Sequence, residues 1–337
     1  MSDSPSRRKM PVWLPQLLGY GLSLGCLLWV LHGYPINELM QAIPSLDWRW
    51  VSVAVLADLA VYVAQAWRWN TLLAPVVRLR FWRTVQIVYI GLFANEVLPL
   101  RAGELIRWYL LAHWNDLRLS LSFASVTVER LIDGVWMLLA FLITAGFVKG
   151  IPRDLIILVQ VLGALIILSA GGLFWMVSTR RQAHAADSES RWSSTLRHVI
   201  EGLQLMGNLR TLAVTSLISL LYLLLQILVV YALMKSYLLD LSFWVAAGVL
   251  AIIRVGTVVP NAPGNVGLLN VACVLALRLF DVETNVAKTF SLILLGAQSF
   301  PLLLGGAIAT ALTGSNIGEL HARAQRGVQS HPRSPTL

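Results

Sequence analysis

Apolar residues run along this chain in long unbroken stretches, without the alternation of a half-buried strand. A helix that crosses a bilayer needs about 20 mostly apolar residues. Six stretches meet that length: 12–32, 50–69, 120–147, 154–178, 210–236 and 287–313. Two further regions are apolar but interrupted. The first, 82–118, is broken over 95–104, which contains Asn95, Pro99 and Gly103; the second, 242–281, is broken over 260–267, which contains Pro260, Asn261, Pro263, Gly264, Asn265 and Gly267. Each interrupted region predicts two helical arms joined at a break.

Composition agrees with that pattern. Of 337 residues, 57% are hydrophobic and 13% charged, with a mean hydropathy of +0.70. Soluble domains carry about 25% charged residues, so soluble, disordered, coiled-coil and disulfide-framework classes are excluded and an integral membrane protein is expected. Cys26 and Cys273 lie inside apolar stretches and form no metal-ligand spacing. No cleavable leader is expected, because the stretch after Arg7, Arg8 and Lys9 is long enough to span and no small-residue cleavage site follows it. The net charge of +9 is scattered between apolar segments. It reads as loop charge that sets orientation, not as a nucleic-acid surface.

The loop charges also decide how the interrupted regions run. If each enters the membrane, turns at its break and leaves on the same side, 16 of the 26 basic residues lie in the cytoplasm, together with both termini. Six lie outside, and Arg101, Arg107, Arg130 and Arg254 lie at membrane depth. A single crossing of each region would instead move the five arginines of 180–210 outside. The expected fold is therefore all-α and polytopic: six full spans and two re-entrant helical hairpins, arranged as inverted repeats over 12–147 and 154–313. A cytoplasmic N-terminus (1–11), a cytoplasmic loop (179–209) and a polar C-terminal tail (314–337) complete the expected organisation. The apolar positions of 192–206 predict a surface helix within that loop, and the tail is expected to be disordered. Inverted repeats with matched broken helices place a site where the breaks meet.

Charges at membrane depth are costly and mark function by default. Asp58, Glu96, Arg101, Glu104, Arg107, Glu129, Arg130, Asp133 and Arg254 all fall in or beside apolar segments. Glu129 lies about 15 Å into its span and Arg254 about 18 Å into its arm, near the centre of a bilayer. Glu129 and Asp133 are four apart and share a helix face. A half-helix beginning near Ala102, beside Arg101, would aim its free N–H groups at an anion, for which a lipid phosphate is the natural candidate. The other reading of these charges is a buried network that fixes packing. Arg68, between Trp67 and Trp69, reads as an interfacial anchor. Six scattered histidines and the absence of a P-loop leave no metal or nucleotide signal.

These residues resemble a known family. Ala66, Trp67, Arg68 and Trp69 with Leu72 and Leu73, then Asn95 through Pro99, Arg101–Glu104 and Arg107, look like the first signature of the lysylphosphatidylglycerol synthase transmembrane (flippase-like) family. Glu129 and Arg130 with Asp133 resemble its second signature, and Pro260, Pro263, Gly264 and Gly267 its third. Members usually carry an acidic residue shortly after the last glycine, where this chain has Leu268, Leu269 and Asn270. The resemblance implies a lipid translocase of the bacterial inner membrane without the soluble aminoacyl-transferase domain, and no cofactor or metal.

On that reading Arg101, Arg107, Arg254, Asn261, Gly264 and Asn265 receive an anionic or zwitterionic lipid headgroup, phospholipid or polyprenyl-phosphate-linked. Glu104, Glu129, Arg130 and Asp133 balance charge, and Asn95, Pro99, Gly103, Pro260, Pro263 and Gly267 shape the breaks. Two alternatives stand beside it: an intramembrane lipid-modifying enzyme using Glu104, Glu129 and Asp133, and a non-catalytic partner that docks a lipid-biosynthesis enzyme through its cytoplasmic loop.

Overall fold

The computed structural model describes residues 13–98, 101–147, 153–180, 209–258, 263–314 and 317–329. Among them the chain is helical and contains no strand. The helices are α1 (Trp13–Leu31), α2 (Ile36–Ser45), α3 (Trp48–Leu73), α4 (Phe81–Val97), α5 (Ala102–Trp114), α6 (Leu119–Phe147), α7 (Arg153–Arg180), α8 (Leu209–Ser236), α9 (Phe243–Gly256), α10 (Leu268–Arg278), α11 (Thr284–Thr313) and α12 (Ile317–Gln329). A single 3₁₀ turn, Pro263–Asn265, precedes α10.

Local chemistry sets several of these limits. The Asp47 carboxylate accepts from the Arg49 N–H at 2.9 Å at the start of α3, and Ser242 Oγ accepts from the Val245 N–H at 3.3 Å at the start of α9. Gly314, at φ +60°, ends α11 in the left-handed conformation that glycine adopts without strain.

Helices α3, α8 and α11 are each long and apolar enough to cross a membrane. The other three expected spans coincide with α1, α6 and α7, of 19, 29 and 28 residues. Helices α3 and α8 form the most extensive contact in the molecule. Ala54, Ala57, Ala64 and Ala66 on α3 are small and buried, which lets neighbouring helices approach closely. Around this pair lie two large cores, one built largely from α8–α11 and the other from α3–α6, and a small third cluster of Phe141, Val159 and Ala251 joins α6, α7 and α9. Leu24, Leu28, Leu56, Trp82, Leu168, Phe300 and Leu312 face outward. So much large apolar surface facing out suits lipid better than water.

Both interrupted regions fold back on themselves. In the first, a Cβ on Gly103 would collide with the Gly91 carbonyl and come 2.6 Å from Asn95 Oδ1, so α4 and α5 touch at the backbone. In the second, a Cβ on Gly256 would lie 2.7 Å from the Ala272 Cβ, drawing α9 onto α10. The second arms α5 and α10 both begin at their breaks, with Arg101 (φ +53°) and Gly267 (φ +86°) at their N-caps.

Two expectations need comment. The C-terminal tail is not wholly disordered: α12 is amphipathic, and Leu320 and Ala324 are buried where it packs on α5. Ile317, Leu320 and Ala324 recur at helical spacing on one face, a pattern that the surrounding polar residues masked. The surface helix expected over 192–206 lies outside the described residues, as do Pro99, Pro260 and Asn261.

Candidate functional site

The two breaks meet. Arg101, held in the left-handed region at the start of α5, reaches across and donates through Nη2 to the Thr257 carbonyl at 2.5 Å and to Asn265 Oδ1 at 3.3 Å. From the other arm of the first hairpin, Glu96 approaches the second break so closely that a Cβ on Gly264 would sit 2.6 Å from its Oε2. Gly264 is at φ +68°, so a side chain there would also be strained. Glu96 accepts from Ser299 Oγ on α11 at 3.2 Å. Arg254, one turn before the second break, donates to Gln226 Oε1 on α8 at 2.7 Å. Asp58 on α3 accepts from the Tyr62 hydroxyl at 2.8 Å and lies within electrostatic range of Arg254 and Glu96.

Behind this junction lies a second cluster, in which opposite charges are paired. Glu104 takes Arg130 at 2.7 Å and Arg107 at 3.4 Å. Glu129 takes Arg68 at 3.3 Å, and Asp133 makes a short ion pair with the same guanidinium. Arg68 also donates to Ser219 Oγ at 3.1 Å and lies over the Tyr222 ring at 4.8 Å. Arg107 lies over Trp69 at 4.9 Å, and Gln65, with its amide oxygen turned inward, accepts from Nη2 and Nη1 at 3.2 and 3.3 Å. Three arginines and three carboxylates thus leave no net charge in the cluster.

The structure reassigns three of the residues singled out from the sequence. Arg68 is not an interfacial anchor: it is 1% exposed and holds both Glu129 and Asp133. The sequence contained a signal for it. The nine charges first placed at membrane depth comprise five carboxylates and four arginines, and Arg68 supplies the missing cation. Arg107, expected to receive a headgroup, is 0% exposed, and its guanidinium is taken up by Glu104, Trp69 and Gln65; a ligand would have to break that arrangement to reach it. Arg130, expected only to balance charge, has a side chain 54% exposed and lies within electrostatic range of Arg101. Arg101 and Arg254, also within range of one another, are exposed as well.

Asn270 has a role that a carboxylate at the same position could not fill. Its Oδ1 accepts the Gly267 N–H at 3.2 Å at the start of α10, while its Nδ2 donates to the Ser291 carbonyl at 3.1 Å and to Ser291 Oγ at 3.3 Å. A carboxylate has no N–H with which to reach the Ser291 carbonyl. No group of three or more potential metal ligands occurs among the described residues. A hollow of about 380 Å³ between α2 and the start of α11, lined by Glu38, Tyr237, Glu283 and Asn285, lies well away from the breaks. Asn285 and Ser299 are 14 residues apart on α11, about 20 Å along the helix.

Residues 16–306 match the lysylphosphatidylglycerol synthase TM region. The chain belongs to this family. Similar proteins include a UPF0104 membrane protein of Methanocaldococcus jannaschii, 25% identical over 234 residues, which cover 67% of this chain and 96% of that protein. A UPF0104 membrane protein of Methanothermobacter thermautotrophicus is 21% identical over 282 residues, covering 76% of this chain and 81% of its own. This is a membrane protein, and the match takes in both breaks and every charged residue of the junction and the neighbouring cluster.

Proposed function

We propose that the protein moves anionic or zwitterionic phospholipid headgroups between the leaflets of a membrane, with both broken regions re-entering the bilayer. The observation that carries this reading is Arg101 bridging the two breaks at 2.5 and 3.3 Å, where the N-termini of α5 and α10 also begin. Positive helix ends beside exposed guanidinium groups favour a phosphate. Arg101, Arg130 and Arg254 are the cations that would receive it, in place of the buried Arg107.

The pattern of helix contacts supports an inverted repeat. Helix α3 packs on α4 as α8 packs on α9; α4 packs on α11 as α9 packs on α6; and α3 meets α11 as α8 meets α6. Each central helix also offers a glutamine to an arginine of its own hairpin, Gln65 to Arg107 and Gln226 to Arg254. Rocking of one repeat against the other would expose the junction to each leaflet in turn. In this arrangement both termini are cytoplasmic, in a bacterial inner membrane, and the lipid is the only partner that the site requires.

The enzymatic alternative has less support, because Glu104, Glu129 and Asp133 are all held by arginines. The test is leaflet exchange of headgroup-labelled lipid in proteoliposomes. The parent should exchange an anionic phospholipid, and Arg101→Ala should slow that exchange at least tenfold. A parent without activity toward any phospholipid or polyprenyl-phosphate lipid would reject translocation.

A further inference from the structure

The four charges at the break junction do not neutralise one another by contact, although equal numbers of each sign are present. Among the described residues, Arg101 and Arg254 donate to a carbonyl and to side-chain amide oxygens, while Asp58 and Glu96 accept from hydroxyl groups. In the neighbouring cluster every carboxylate has a guanidinium. Asp58 is 5% exposed, so bulk water does little to screen its charge.

We propose that Asp58 and Glu96 form a proton-binding pair that takes up one proton when an anionic headgroup occupies Arg101 and Arg254. The inference rests on the headgroup reading of the junction and assigns that site its coupling ion. The balance is simple. Two arginines and two carboxylates sum to zero when the junction is empty. A phosphodiester brings one negative charge into a region of low dielectric, where uncompensated charge is expensive. Either carboxylate can cancel it by accepting a proton from water, which leaves hydroxide to the buffer and makes no change at the phosphorus.

The groups around the pair suit this role. Tyr62 donates to Asp58 from the same helix. From α4, Glu96 adds like charge and Tyr89 packs its ring 5.1 Å from that of Tyr62. Arg254 approaches from α9, Tyr222 on α8 stands near Tyr62, and Ser299 on α11 holds Glu96. On α6, Glu129 and Asp133 are already committed to Arg68, and on α5 Glu104 is held by Arg107 and Arg130, which leaves Asp58 and Glu96 as the described carboxylates able to respond.

The sign of the pH dependence follows by linkage. Uptake of one proton per bound headgroup means that affinity falls up to tenfold for each unit of rising pH in the range where the pair is ionised. The experiment uses detergent-solubilised full-length protein and short-chain phosphatidylglycerol, whose phosphodiester does not titrate between pH 5 and 8. Binding is measured across that range, and proton uptake is counted with an indicator dye in weak buffer. The parent should bind lipid with uptake approaching one proton. Asp58→Asn and Glu96→Gln, made separately so that one misfolded variant does not end the test, should each at least halve the pH slope, and the double variant should be flat. Lipid binding without proton uptake, or uptake that survives in the double variant, overturns the proton inference and leaves the headgroup site standing. Failure of folded parent protein to bind phosphatidylglycerol at any pH overturns both.

Discussion

Two sets of charged residues sit side by side in this protein and are built on opposite terms. In the cluster of α3, α5 and α6, Glu104, Glu129 and Asp133 are each gripped by arginines, two of which are 0 and 1% exposed. At the break junction, among the described residues, Arg101 and Arg254 are held by neutral oxygens, and Asp58 and Glu96 by hydroxyls. Ion pairs that satisfy one another fix helix positions and leave little field outside themselves. Charges kept apart at the meeting point of two broken helices keep their field available to a ligand. The contrast separates residues that hold the scaffold from residues that act, with the exposed Arg130, paired to Glu104, at the border between them.

The comparison can be broken by substitution, starting with the largest effect. Arg68→Met should destabilise the protein by about 3–5 kcal/mol, because it strands two carboxylates at once; thermal unfolding in detergent reads this, and a shift no larger than that of a surface variant would remove Arg68 from the scaffold. Gly91→Leu should cost about 1–3 kcal/mol or more, since its side chain would occupy the path of the Arg107 methylenes. Wild-type thermal stability would show that the α4–α5 contact is slack. Asn270→Asp should cost about 1–3 kcal/mol, because a buried carboxylate oxygen would face the Ser291 carbonyl in place of the amide N–H that donates to it, and stability equal to the parent's would show that the lost hydrogen bond is not needed.

Arg254→Ala sharpens the contrast from the other side. Its guanidinium bonds one amide, that of the buried Gln226, so stability should fall by about 1–2 kcal/mol, less than for Arg68→Met, while lipid exchange falls at least tenfold. A large loss of stability with exchange intact would place it with the scaffold. The smallest effect is expected at Lys235 and Asp240, a pair 2.7 Å apart in which Asp240 is fully exposed and Lys235 partly so. The bond from Lys235 holds the Asp240 carboxyl below its ordinary range. Any benefit is therefore present above the unfolded carboxylate value and lost as pH falls, and solvent screening should leave Lys235→Gln indistinguishable from the parent in unfolding temperature.

Much of the fold was legible in advance, because membrane helices declare themselves by length and hydropathy. The six uninterrupted stretches coincide with α1, α3, α6, α7, α8 and α11, and both breaks fall where Pro, Gly and Asn cluster. Two helices were not foreseen. Helix α2 is only ten residues long, and α12 carries its few apolar side chains among charged and polar ones. Both are short amphipathic helices stabilised by packing against their neighbours, a context no hydropathy window contains.

The candidate site was legible as a list of residue types but not as a set of partners. By itself the sequence determined that charged residues fall in or beside apolar segments, that two broken regions occupy matching places in the chain, and that Arg101 stands at a helix start. Tertiary structure decided which charges are paired. Arg68 and Glu129 are 61 residues apart, and Arg101 and Thr257 156 apart. Whether a guanidinium is spent on a carboxylate or left facing a break depends on which helices pack together, and hydropathy, blind to partners, is silent on that choice.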